Sequence, residues 1–140
     1  MYAIFLEKNM PAGYSSTPLP QKLGLKEGFR IRLVHPPAHY ATLVGKVQQA
    51  PEGAKELDFI HLFTNSRAEL ESLLPVCKGA LAKTGMLWIS WYKKSAGKPT
   101  ELSETLVRDS GLGVGLVDVK VCAVDEDWSG LKFVFRLKDR

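Results

Sequence analysis

A chain of 140 residues with 45% hydrophobic and 24% charged side chains has the make-up of one globular domain and not of a disordered chain. No apolar run approaches the roughly 18 residues of a membrane-spanning helix, so no membrane partner is expected. The net charge of +4 is scattered, with its densest run in YKKSAGK at 92–98; a nucleic-acid binder would show a basic stripe or helix, so nucleic acid is not an expected partner.

Residues 1–28 read as an N-terminal arm and 29–140 as a single α/β domain. The opening MYAIFLEKNM lacks a basic leader and a small-residue cleavage site, which makes the cytoplasm the expected location. The arm carries glycine and proline punctuation and room for one short helical piece after Thr17 and Pro18. Its apolar YAIFLE stretch fits a strand, a short helix or an extension equally well.

FRIRLVH (Phe29–His35) is the first clear strand, with Phe29, Ile31 and Leu33 on one face. Arg30 and Arg32 on the other face suit a strand near the sheet edge, or one partly uncovered near its start, because a central parallel strand is apolar on both sides. PPAHYATLVG makes a short helix opened by prolines, and KVQQAPEGAKE has room for at most a stub of strand. LDFIHLF (Leu57–Phe63) is an apolar run that fits a strand buried on both faces. Ser66 and Glu69 form a capping box before a helix whose face is Leu70, Leu73, Leu74, Cys77, Ala80 and Leu81. Pro75 should bend or divide that helix.

Gly85 should end the connection, with MLWISWY as a central strand. A third helix is expected from Thr100 as its cap, with Glu101 and Glu104 near its positive end and Gly111, Gly113 and Gly115 ending it. The tail forms an antiparallel hairpin around Glu126–Gly130, with Leu131, Phe133, Phe135 and Leu137 inward. The order of elements predicts a three-layer open α/β sheet made mixed by that hairpin.

This pattern over roughly residues 22–137 is similar to the S-adenosylmethionine-dependent methyltransferase fold. LGLKEGFRIRLV resembles the approach to that fold's first strand, LDFIHLF its fourth, and LAKTGMLWISW the turn into its fifth. The chain would then be a truncated, Rossmann-like version in which strands two and three are largely deleted. The strings AGYSSTPLPQKLGLKEG, SRAELESLLP, GMLWISWYKK and GLVDVKVCAVDEDWSGLKFVFRLKD also resemble a bacterial family of about this length with no assigned activity. That resemblance implies a fold and no reaction.

The departures bear on the cofactor. The resemblance implies a glycine-rich turn after strand one, where this chain has VHPPAHY. Pro36 and Pro37 have no N–H to donate, and His35 puts a ring where a glycine would leave space. No clear acidic residue ends a second strand; Glu52 and Glu56 fall in a loop. S-adenosylmethionine is therefore not expected to bind, and no other cofactor is implied.

The remaining chemistry-bearing residues have bland readings. His35, His39 and His61 lack partners at metal-ligand spacing, so no metal is expected, and His61 reads as a core histidine with a hydrogen-bond partner. Ser90 and Cys77 lack an obvious base, and Cys77 and Cys122 read as buried free thiols. Asp125, Glu126 and Asp127 read as solvated turn-formers, and Trp88, Trp91 and Trp128 as core and rim anchors. GLGVG follows a helix instead of opening one and is no phosphate loop. No residue is assigned a catalytic role.

Ligands in open α/β sheets bind beyond the carboxyl ends of the strands. HPPAH, FTNS and WYKKS should meet there, making His35, His39, Thr64, Asn65, Trp91, Lys93 and Lys94 the candidate ligand-binding residues. Their rings, amide, hydroxyl and ammonium groups suit an anionic small molecule, helped by free amides at the helix start at Ser66. Two functions fit: a small-ligand-binding or regulatory module (a pseudo-enzyme), or a transferase with an unorthodox cofactor site.

Overall fold

The computed structural model describes residues 17–140, so the apolar YAIFLE stretch lies outside the described residues. Five strands form one sheet: β1 (Ile31–Val34), β2 (Leu57–Phe63), β3 (Leu81–Tyr92), β4 (Leu116–Ala123) and β5 (Trp128–Phe135). Their spatial order is β1-β2-β3-β5-β4, with β1, β2 and β3 parallel and β5 antiparallel to both β3 and β4. The sheet is thus open and mixed, and it ends in the expected hairpin. The arginine-bearing β1 lies next to the sheet margin. Among the described residues a single bridge from Ile31 to Gln49 extends beyond it, the stub that KVQQAPEGAKE has room for.

Helices cover both faces. On one side α1 (Leu19–Leu23) and α2 (Tyr40–Val44) pack over Ile31, Phe59, Phe63 and Trp88. On the other, α3 (Arg67–Ala80) and α4 (Glu104–Gly113) cover Ile60, Leu62, Leu87, Ile89, Trp91, Leu131 and Phe133. The alternation along β2 explains the division: Ile60 and Leu62 point to one layer, Phe59, His61 and Phe63 to the other. Leu23, within the segment read as an arm, is fully buried, and its carbonyl accepts the Trp88 indole N–H at 2.8 Å. Residues 17–28 therefore contribute to the core, because an apolar turn capped by Gly24 in the left-handed conformation can close that layer.

Several local expectations are corrected. Helix α3 runs unbroken through Pro75. Pro75 and Glu71, whose carbonyl loses its donor, both lie on the exposed side, where water can replace the bond. Strand β3 begins at Leu81, directly at the end of α3, and Gly85 sits inside it. A Cβ on Gly85 would lie 2.6 Å from the Leu57 carbonyl oxygen, so glycine there permits the close approach of β2 at the register shift that precedes regular pairing from Met86. Helix α4 is capped by Ser103, which accepts from Leu106 N, while Thr100 accepts from Leu102 N three residues earlier. Gly111 lies within α4, pressed against the Phe133 ring. Leu137 follows the end of β5 and is 80% exposed, not inward.

Candidate functional site

The three parallel strands bring Val34–His35, Phe63–Asn65 and Tyr92–Lys94 to one end of the sheet, where the β4–β5 turn also arrives through the Tyr92–Trp128 pairing. The segments expected to meet do share this end. What their side chains do there differs from the expectation of an open, donor-rich mouth.

His35 follows β1 with φ +55, the left-handed region in which glycine is the unstrained residue. Its Nδ1 is 3.3 Å from Glu69 Oε1. The capping box at Ser66 is consequently half formed. Ser66 Oγ accepts from Glu69 N, but the Glu69 carboxylate turns to His35, and Ser66 N donates instead to Thr64 Oγ1 at 3.2 Å. Thr64 is buried and held between strands, its own N–H donating to the Ser90 carbonyl.

The amides at the start of α3 are not all free. Glu101 places Oε1 2.8 Å from Arg67 N, so a carboxylate of the chain already occupies part of the positive helix end. Asn65 is similarly committed: its Oδ1 accepts from Tyr92 N at 2.8 Å, and its carbonyl accepts from Glu101 N. Asn65 thus ties the ends of β2 and β3 to the segment leading into α4.

His39 precedes α2 and places Nε2 2.7 Å from Asp125 Oδ2 in the β4–β5 turn. The other Asp125 oxygen accepts from Asp127 N and Trp128 N, both at 2.8 Å. Burial pushes the Asp125 carboxyl up, but the bonds from His39 and the two amides outweigh it and leave the group below its ordinary value. Its side chain is 17% exposed, so Asp125 forms the turn as expected, but from a largely buried position that also ties it to His39. Sequence reasoning missed it because a hairpin carboxylate carries no signal of its partner 86 residues away.

Trp91 is buried on the α3 side and does not face the strand ends. The rings that do gather there are Phe63, Trp128 and Tyr92, with Trp128 edge-on to Phe63 at 5.0 Å and 4.4 Å from Tyr92. Lys93 is half-buried and its N–H donates to the Asp127 carbonyl; Lys94 is exposed and opens a short 3-10 turn. From the same basic run, Lys98 meets Asp127 at 2.8 Å and lies over the Tyr92 ring.

Behind this rim, Tyr40 Oη and Ser90 Oγ lie 2.9 and 2.8 Å from the two nitrogens of His61. A neutral imidazole offers one donor and one acceptor, and two hydroxyls satisfy both. Burial pushes the imidazole down to about 3 and the Tyr40 phenol above its usual range. The expected core histidine with a partner is present. The expectation that Ser90 has no base beside it is overturned, yet His61 and Ser90 are both 0% exposed and offer no access to a substrate. The three histidines go to separate partners, and among the described residues no three His, Cys, Asp or Glu side chains converge as a metal site.

This arrangement is an open α/β sheet of the Rossmann and methyltransferase type, and comparison with solved structures shows the same. The chain is similar to a SAM-dependent methyltransferase from Aquifex aeolicus at 16% identity and a TM-score of 0.62, covering 94% of this chain and 97% of that one. It is similar to a TehB-like SAM-dependent methyltransferase from Corynebacterium glutamicum at 11% identity and 0.56, covering 95% and 94%. Fibrillarin of Aeropyrum pernix in complex with S-adenosyl-L-methionine matches at 15% identity and 0.55, covering 95% and 73%. At these identities the likeness is one of fold. No protein-family model matches the chain, and no curated protein matches it.

Proposed function

We propose that the chain is a small-ligand-binding or regulatory module on a methyltransferase-like scaffold, without S-adenosylmethionine chemistry. The observation that carries this reading is the turn after β1. His35 holds the left-handed conformation a glycine would favour, then Pro36 and Pro37 follow with no N–H to offer a ligand. The surrounding groups support it. Glu101 on Arg67 N, His39 on Asp125 and Asn65 on Tyr92 N use polar capacity that a cofactor site would leave available. These residues do not fit the cofactor that the neighbours' descriptions name. Kinship with the bacterial family of similar strings belongs to the same reading and adds no reaction.

The ligand in this reading is an anionic small molecule held beyond the strand ends by His35, Lys93 and Lys94. The strands fix these residues at the place where open α/β sheets bind ligands. The test is a thermal-shift screen of anionic metabolites, followed by titration of Lys93→Ala and Lys94→Ala. Both variants should fold, and at least one should weaken the hit by about 1.5–3 kcal/mol, the range for a lost charge-assisted hydrogen bond. Equal binding by both variants and the parent would remove the site from the strand ends.

A further inference from the structure

Four lysines from three segments of the chain lie on the α1 face of the sheet. Lys22 lies in α1 and Lys26 just beyond it; Lys120 lies in β4 and Lys132 in β5. The Lys120 ammonium donates to the Lys22 carbonyl at 2.9 Å. The Lys132 ammonium reaches 3.9 Å from the position a Cβ would take on Gly24, at the end of α1. Among the described residues none of the four is joined in an ion pair. Burial lowers the proton affinity of Lys132, and the charges of Lys120 and Lys26 lower it further. Capping the carbonyls of α1 accounts for Lys120; it does not account for a half-buried lysine set among like charges, an arrangement that costs stability.

At Lys26 a cleft of about 570 Å³ opens between the start of β1 and the stub at Gln49, within the size range of small-molecule sites. It shares Lys26 with the cluster and adds Lys46, while Phe29, Val44 and Val47 supply apolar surface. Glu27 is the carboxylate among its lining residues. The cleft lies at the opposite end of β1 from His35.

We propose that the lysine cluster and this cleft form a binding site for a small molecule bearing a di- or triphosphate, with the phosphates on Lys22, Lys26, Lys120 and Lys132 and the uncharged body in the cleft. Lysine ammonium groups are compact point charges suited to phosphate oxygens. Their concentration in one spot matches a compact polyanion; a nucleic-acid backbone would call for an extended track. The site is independent of the strand-end reading, since it uses none of the same residues.

The direct test is calorimetric titration of the full chain with inorganic tripolyphosphate at low salt, repeated with Lys26→Ala, Lys132→Met and, as a control, the exposed Lys138→Ala, which belongs to neither site. Saturable one-to-one binding is expected, weakened at least tenfold by each of the first two variants and unchanged by the third. Lys132→Met keeps the packed stem, and the exposed Lys26→Ala gives a second reading should the first variant lose its fold. No saturable binding, or binding that neither variant weakens, would overturn the proposal. Tighter lysine-dependent binding of a single-stranded RNA oligonucleotide would overturn it in favour of an extended nucleic-acid surface.

Discussion

His39 Nε2 lies 2.7 Å from Asp125 Oδ2, joining the residue before α2 to the β4–β5 turn. Phe63, at the end of β2, contacts both sides of this tie through Tyr40 at 5.5 Å and Trp128 at 5.0 Å. The two partners are unequal. His39 is half exposed, whereas Asp125 also holds two turn amides. His39→Ala should therefore cost about 0–1 kcal/mol and Asp125→Ala about 1–3 kcal/mol in urea unfolding. Asp125 is depressed in the folded state, so its contribution is present above its unfolded value near 3.8 and lost as pH falls through the folded one. Equal costs for the two variants would show that the turn amides do not depend on Asp125.

His61 behaves differently, because it is buried as the neutral ring. Unfolding lets it take up a proton below about 6.5, while the folded ring resists protonation down to about 3. Stability should fall as pH drops from 6.5 towards 3, by up to about 1.4 kcal/mol per pH unit. His61→Gln should be less stable at pH 7 and should lose that slope. Denaturation midpoints measured from pH 7 to pH 4 give both quantities, and an unchanged slope in the variant would assign it to other groups.

Two glycines of α4 separate packing from propensity. A Cβ on Gly111 would lie 2.0 Å from Phe133 Cε1, and Phe133 is fully buried; nothing lies within 4 Å of one on Gly113. Gly111→Ala should destabilise by about 1–3 kcal/mol or more, and Gly113→Ala should be neutral or stabilising by up to about 1 kcal/mol. Thermal unfolding of the pair decides it; similar melting points would mean that α4 does not sit directly on the ring.

Cys77 and Cys122 are free and buried. Burial raises both thiols, Cys77 to about 11, so the reactive thiolate is scarce at neutral pH. Maleimide labelling should be slow in buffer and rapid in denaturant. Fast labelling of both in the native protein would contradict this placement.

Strand and helix order was legible because the periodicities of β2, β3, α3 and β5 are long and each lies in one layer. The arginines of β1 marked it as lying near the margin because charge cannot enter a doubly covered strand. The cap of helix α4 is not fixed locally, since Thr100 and Ser103 each precede an acidic residue and offer alternative solutions; docking of Glu101 on α3 and of buried Leu102 chooses Ser103. The strand-end segments were legible from topology, but their pairings were not. His39 with Asp125, Glu101 with Arg67 and the four clustered lysines each depend on contacts between distant segments that no local pattern encodes. For the same reason scattered lysines read as a diffuse charge.

Calorimetric titration of the purified chain with S-adenosylmethionine tests most directly the proposal that this scaffold lacks a site for that compound. The structure's turn at His35–Pro37 predicts no saturable binding at concentrations up to about 1 mM, equivalent to less than about 4 kcal/mol of affinity. One-to-one binding at micromolar concentration or tighter would contradict it and make the chain a transferase with an unorthodox cofactor site.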